Sequence, residues 1–136
     1  MHKGFLKVAL VVGALSVIMG AFGAHALKDL VSQRVTVTFE TATRYQFYHV
    51  FALLFVAVLY KDFNQKWLRA AGYFIISGFI LFCGSLYILS YAQAIVSPDF
   101  KWVGPITPIG GVTFIAGWVC ALVAVFVRKK SAGSAI

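Results

Sequence analysis

Four long apolar stretches, separated by short polar segments, constrain the fold of this sequence more than any other feature. We place them at residues 5–27, 38–60, 69–94 and 108–127. Each has about 20 or more residues, which at 1.5 Å per residue is enough for a helix to cross about 30 Å of hydrocarbon. The sequence therefore predicts an all-α integral membrane protein, a bundle of four transmembrane helices.

The composition favours a membrane location over a soluble fold. Of the 136 residues, 61% are hydrophobic and only 12% are charged. A soluble domain of this size could not hide so much apolar surface. The net charge of +8 would suggest a nucleic-acid partner in a soluble protein, but here the charges stand in short loops between apolar stretches. We therefore expect membrane lipids, and no nucleic acid, as partners.

The distribution of Lys and Arg predicts how the helices are oriented. Eight of the 12 stand at the N-terminus, in the second loop and after the fourth stretch, whereas four stand in the first and third loops. The side with more basic residues is usually cytoplasmic, so both termini should face the cytoplasm. Short connections favour an up-down-up-down order. We expect one transmembrane domain over residues 1–130 and a short mobile tail over residues 131–136.

Small residues recur at spacings of three and four in the first and fourth apolar stretches. In the first they are Ala9, Gly13, Ser16, Gly20 and Gly23. Such stripes let a second helix approach closely, so we interpret them as packing surfaces. The pattern leaves open whether they pack within one bundle or between copies, and a homo-oligomer or a larger membrane complex is compatible with it.

The predicted topology gathers polar residues from all four helices near the extracytoplasmic face. They are His25, residues 40–49, the polar positions Tyr87, Ser90, Tyr91 and Gln93 of the third helix, and residues 104–108. Ionisable groups close to a bilayer are costly and therefore mark candidate sites. The candidate ligand-binding residues are Arg44, Glu40, His49, Tyr45, Tyr48, His25 and Thr107.

Two interpretations of residues 40–49 remain open. Glu40 and Arg44 are spaced i, i+4 with the acid first, which suits a helical ion pair. In the first interpretation they form an interfacial anchor, with Tyr45 and Tyr48 in the aromatic belt. In the second, the planar guanidinium of Arg44 takes a carboxylate or phosphate, helped by the positive N-terminal ends of two helices. Thr107 would cap the fourth helix.

Histidines on neighbouring helices raise two further hypotheses. His25 and His49 could share a metal or haem, and His49, Tyr45 and Glu40 could relay protons. No third residue stands at a spacing typical of metal ligands, so we prefer a packing role for each histidine and expect no metal and no cofactor.

Cys83 and Cys120 lie at different depths, which argues against a disulfide. No nucleotide loop or catalytic motif is present, so we expect no catalytic residues and no enzyme.

Four ordered motifs resemble a known family of membrane proteins. They are residues 20–27 (GAFGAHAL), 40–49 (ETATRYQFYH), 81–87 (LFCGSLY) and 104–118 (GPITPIGGVTFIAGW). Together they are similar to the YgdD/YwdK-like proteins, domain of unknown function number 423, which include the eukaryotic transmembrane protein 256. The resemblance implies a four-helix protein of the bacterial cell (inner) membrane. It carries no settled activity, so no residue inherits a catalytic role.

These observations favour a non-enzymatic binding or assembly module with a polar, anion- or lipid-head-group-accepting site. The alternative is a small oligomeric transporter or proton-coupled carrier that uses His49 and Glu40. An enzyme acting on lipid or quinone ranks third, since it would need a base or nucleophile held by an orienting partner.

Overall fold

The computed structural model describes residues 1–127, and these residues form helices joined by short connections. The elements are α1 (Lys3–Phe22) with a π-helical turn (Gly23–Leu27), α2 (Gln33–Leu59), α3 (Gln65–Gly78) with a π-helical turn (Phe79–Gly84), α4 (Ser85–Ala94), a 3-10 turn (Pro98–Val103) and α5 (Ile106–Phe126). The described part of the chain contains no strand. The predicted tail, residues 131–136, lies outside it, as do the basic residues 128–130.

Four helical segments are long and apolar enough to cross a membrane: Lys3–Leu27, Gln33–Leu59, Gln65–Ala94 and Ile106–Phe126. The predicted all-α fold with four spans is thus confirmed. The third of these segments, called the third membrane helix below, runs through α3, its π turn and α4. The helices begin before the apolar stretches do, because polar residues such as Gln33 and Gln65 take helical conformation outside the hydrocarbon. The cytoplasmic location of both termini stays a prediction.

Helix α2 occupies the centre of the bundle. Ten of its residues are buried, against three of α1, so α1 lies at the periphery. Helix α1 packs along α2, which also contacts α4, while α5 packs mainly against α3 and its π turn. The most completely buried large side chains are Leu53, Leu68, Ile75, Val56 and Val103. Cys83 and Cys120 are both free thiols within this core.

The small residues of α1 form its contact with α2. A Cβ on Gly23 would lie 3.0 Å from the ring of Phe39, and a Cβ on Gly13 would lie 3.3 Å from Val50. Ala9 and Ser16, on the same stripe, are buried. This stripe of α1 therefore packs against α2 of the same chain and is not left free to pack against a second copy.

Helix α5 meets the third membrane helix at an even closer distance. A Cβ on Gly110 would overlap the backbone of Leu81 and Phe82, and a Cβ on Gly78 would overlap the ring of Phe114. The Phe114 ring of α5 thus packs directly against Gly78 of the third membrane helix. At Gly110 the backbones of the two helices are in contact. Close approach of this kind is the means by which small residues drive helix association in lipid.

The N-terminus is fixed at the opposite end of the bundle from the polar zone. The His2 backbone N–H donates to the carbonyl of Ala57 at 2.7 Å, and the His2 ring stacks on Phe5. The guanidinium of Arg69 donates to the Tyr60 hydroxyl at 2.9 and 3.1 Å. The first contact ties the start of α1 to the end of α2, and the second ties α3 to the residue that follows α2.

Candidate functional site

A groove between α1 and α2 contains the two charged residues that the sequence singled out. Its volume is about 370 Å³, and both Glu40 and Arg44 line it. The remaining lining residues are Ser16, Val17, Met19, Gly20, Gly23 and Ala24 from α1, and Phe39, Thr43 and Phe47 from α2. The groove therefore combines an apolar lining with one acid and one base, each on the exposed surface of α2.

The groove exists because α1 presents small residues at this level. The nearest approach to a Cβ built on Gly20 is 3.7 Å, to Thr43, so the two backbones lie close without filling the space beside them. Beyond Gly20 the helix widens into the π turn Gly23–Leu27.

Glu40 and Arg44 do not form the ion pair that their spacing predicts. Within residues 1–127, neither side chain has a hydrogen-bond partner or an oppositely charged group within 4.0 Å. The anchor interpretation, in which Glu40 neutralises Arg44, is wrong on this point. Exposed i, i+4 pairs contribute little free energy, so a different arrangement of two long side chains is easily preferred.

His49 lies apart from this groove, on the side of α2 that faces α5. Its Nδ1 is 2.8 Å from the carbonyl oxygen of Tyr45, and its Nε2 is 3.3 Å from the indole nitrogen of Trp118. An indole N–H can only donate and a carbonyl can only accept, so these partners define a neutral imidazole with its hydrogen on Nδ1. The ring also stacks on Phe114 at 3.5 Å between centroids. The preferred packing role of His49 agrees with these contacts.

A chain of hydrogen bonds crosses three helices beside the groove. The Tyr87 hydroxyl donates to Oε1 of Gln46 at 2.9 Å, and Nε2 of Gln46 donates to the carbonyl of Val12 on α1 at 3.4 Å. The hydroxyl of Thr43, which lines the groove, lies 3.1 Å from that of Tyr87. The groove wall is therefore connected to the polar contacts that join α2 to the third membrane helix.

Thr107 does not cap α5, contrary to the sequence prediction. The helix begins at Ile106, two residues before the predicted start at Pro108, with Pro105 at the capping position and no side-chain cap. The hydroxyl of Thr107 instead lies 2.7 Å from that of Ser85 on α4. A side-chain contact between helices here outweighs the local preference for capping.

The predicted polar zone is thus divided among several faces. Glu40 and Arg44 share the groove, whereas Tyr45 packs against Phe82 and near Tyr48, with ring centroids at 4.9 and 6.1 Å. Polar contacts between α2 and α4 do exist, since Thr38 donates to Gln93 and Ser90 donates to the carbonyl of Val35. The seven candidate residues therefore do not surround one cavity.

The metal or haem hypothesis for the two histidines does not fit the geometry. Gly13 packs beside Val50, which puts His49 at the level of Gly13 along α1. His25 lies twelve residues further on, roughly 15–18 Å along the helix axis, and is exposed. That separation is too large for two ligands of one ion. Among residues 1–127, no three His, Cys, Asp or Glu side chains lie close enough to hold a metal.

Sequence reasoning missed Trp118 as a partner of His49 and Lys28 as a neighbour of Glu40. Lys28 and Glu40 line a second cavity, of about 470 Å³, at the outer end of the same α1–α2 seam. The buried role of Gln46 had a usable signal, because it continues the buried positions Phe39 and Ala42 at helical spacing. No pattern in the sequence indicated that Trp118 packs against the side of α2 that contains His49.

Four apolar helices, with a largely apolar groove that holds one acid and one base at the α1–α2 seam, define a small multi-pass membrane protein. The family model described as "Protein of unknown function (DUF423)" matches residues 19–111. The chain therefore belongs to the DUF423 family, as the four motifs implied.

Relatives in several species of Staphylococcus carry the name UPF0382 membrane protein. The chain is 42% identical over 127 residues to the one from Staphylococcus aureus (strain bovine RF122 / ET3-1), which covers 89% of this chain and 97% of the relative. It is 38% identical to that of Staphylococcus saprophyticus, over 89% and 98%, and 37% identical to that of Staphylococcus haemolyticus, over 89% and 97%. No solved structure matches the chain significantly. The relatives are thus bacterial membrane proteins.

Proposed function

We propose that this protein is a non-enzymatic module of the bacterial inner membrane that binds the phosphate of a lipid head group in the α1–α2 groove. The observation that carries the proposal is the position of Arg44, which lines a groove of about 370 Å³ with a largely apolar lining and has no charged partner among residues 1–127. The sidedness comes from the Lys and Arg count, which assigns this end of the bundle to the extracytoplasmic face.

The chemistry of Arg44 selects an oxyanion. A guanidinium offers a planar fork of N–H donors that matches a phosphate, and it stays charged at any physiological pH. Arg44 is six residues beyond Thr38, the first residue of the second apolar stretch, or roughly 9 Å along the helix. A charge at that depth is costly without a partner, and a lipid phosphate supplies both the charge and the acceptor oxygens.

The apolar part of the groove suits the rest of a lipid. Val17 and Phe47, which line it below Arg44, are exposed on the lateral surface of the bundle. An acyl chain can therefore lie against them while the phosphate contacts the guanidinium. The exposed apolar faces of α1 and α5 suit lipid tails as well as a second copy, so we base no oligomer on them.

No specific contact in the structure favours the hypothesis of a proton-coupled carrier. Both ring nitrogens of His49 are engaged, by a group that can only accept and a group that can only donate. His49 also lies on a different side of α2 from Glu40. We therefore advance lipid binding alone.

Native mass spectrometry of the purified protein with added phosphatidylglycerol tests the proposal. Arg44→Gln should weaken lipid binding about tenfold or more, since hydrogen bonds to charged groups contribute about 1.5–3 kcal/mol. Arg34→Gln is the matched control, because Arg34 is an exposed cation of the same helix that lines a different cavity. Equal retention of lipid by wild type and Arg44→Gln would refute the proposal.

A further inference from the structure

The groove at Arg44 continues outward along the α1–α2 seam. The cavity at Arg44 and the outer cavity at Lys28 share two lining residues, Ala24 and Glu40. Glu40 therefore stands where the two cavities meet. The two adjoining cavities, which together we call the seam groove, extend from Val17 and Phe47 at the inner end to Lys28 at the outer end.

The side chains that line the seam groove follow a definite order with depth. Val17 and Phe47 provide an apolar inner end. Arg44 comes next, and Glu40 lies four residues nearer the helix start, about 6 Å further out. On α2, a cation is thus followed, one helical turn towards the water, by an anion.

An aminophospholipid has the same order of groups. Its acyl chains lie deepest, its phosphate lies above them, and a primary ammonium lies beyond the phosphate. We infer that the seam groove selects a phospholipid with an amino group in its head, with the phosphate on Arg44 and the ammonium on Glu40. This inference rests on the proposed function, because it assigns the lipid class to the same site.

Charge complementarity separates this class from other lipids. A head group whose only charge is its phosphate would satisfy Arg44 but would offer no positive charge to the carboxylate of Glu40. A choline head group carries a positive charge but has no N–H to donate, whereas a primary ammonium has three donors. Charge-assisted hydrogen bonds are the stronger class, so loss of one is a sizeable penalty.

Lys28 is the other charged group at the outer end of the seam groove. It lines the outer cavity together with Glu40, but the two form no ion pair within 4.0 Å among the described residues. The carboxylate of Glu40 is thus available to the ammonium of a ligand. Gln33 and Thr36, which line the same cavity, add uncharged polar groups around it.

A competition experiment with three lipids of identical acyl chains tests the assignment. The intact protein is offered equal amounts of phosphatidylethanolamine, phosphatidylglycerol and phosphatidylcholine, and bound lipid is counted by native mass spectrometry. Wild type should prefer phosphatidylethanolamine by about tenfold over each of the others. Glu40→Gln should remove this preference while phosphate binding remains, and Glu40→Lys should shift it towards phosphatidylglycerol.

Controls separate failure of the lipid class from failure of the site. Asp29→Asn removes an exposed acid of the first loop that lines neither cavity, so the preference should stay unchanged. If wild type bound phosphatidylglycerol as well as phosphatidylethanolamine, or if Glu40→Gln kept the preference, the aminophospholipid assignment would be overturned while an Arg44-dependent lipid site stood. If Arg44→Gln bound all three lipids like wild type, the site itself would be refuted. All three substituted side chains are exposed, and a thermal unfolding curve in detergent checks that each variant is folded.

Discussion

The indole N–H of Trp118 donates a hydrogen bond to Nε2 of His49, across 3.3 Å between α5 and α2. Helix α5 otherwise packs mainly against the third membrane helix, so this bond is a polar link from α5 to the centre of the bundle. The Phe114 ring, stacked on the imidazole at an interplanar angle of 17°, fixes the plane in which Nε2 points at the indole.

Trp118→Phe should destabilise the bundle, because it keeps a ring and leaves Nε2 of His49 without a donor. We expect a loss of about 1 kcal/mol, the size typical of hydrogen bonds between membrane helices, seen as a lower midpoint of thermal unfolding in detergent. Trp102→Phe, at a 63% exposed position of the connection before α5, should leave the midpoint unchanged. If Trp118→Phe and His49→Phe lowered stability additively in a double-mutant cycle, the coupling would be absent.

The sequence was sufficient for the four helices because their apolar stretches match the thickness of a membrane. It was also sufficient for the small-residue stripe of α1, since Gly13, Gly20 and Gly23 fall on one face at 3.6 residues per turn. These inferences depend on spacing within one helix.

The candidate site could be predicted only in part, because it depends on contacts between helices and not only on spacing within one helix. Glu40 and Arg44 share a groove because one turn of helix relates them. Which neighbour covers each side of α2 depends on the lateral order of the helices, which topology alone does not determine. The sequence therefore groups His49 and Thr107 with Arg44, whereas in the structure His49 contacts Trp118 and Thr107 contacts Ser85.

Gly110→Ala should disrupt the contact between α5 and the third membrane helix. A methyl group there would overlap the backbone of Leu81 and Phe82, which cannot rotate away as a side chain can. Overpacking of this kind costs about 1–3 kcal/mol or more. Gly111→Ala is a matched control, since its methyl group would meet Phe82 at an ordinary 3.7 Å. Equal unfolding midpoints for the two variants would contradict the close backbone contact.

Tyr87→Phe should weaken the contact between α2 and the third membrane helix. It removes the donor to Gln46, a buried side chain, and leaves its Oε1 unpaired at membrane depth. The expected cost is about 1 kcal/mol in unfolding experiments in detergent. Tyr91→Phe changes the same group at a 60% exposed position one turn away and should have little effect. A Tyr87→Phe variant as stable as Tyr91→Phe would show that the hydrogen bond contributes nothing.

Val96→Gly should stabilise the protein, which is unusual for a change to glycine. Val96 follows the end of α4 with φ of 53°, in the left-handed region that a β-branched residue rarely adopts. Its side chain is 85% exposed, so little packing is lost, and glycine is the residue most often found at such helix ends. Relief of this conformation should contribute about 1 kcal/mol, measured as a higher midpoint of thermal unfolding. The adjacent Ile95→Gly, where φ is −91°, relieves no such conformation and should lower stability by about 0.5–1 kcal/mol. A decrease for both variants would mean that Val96 is not under backbone strain.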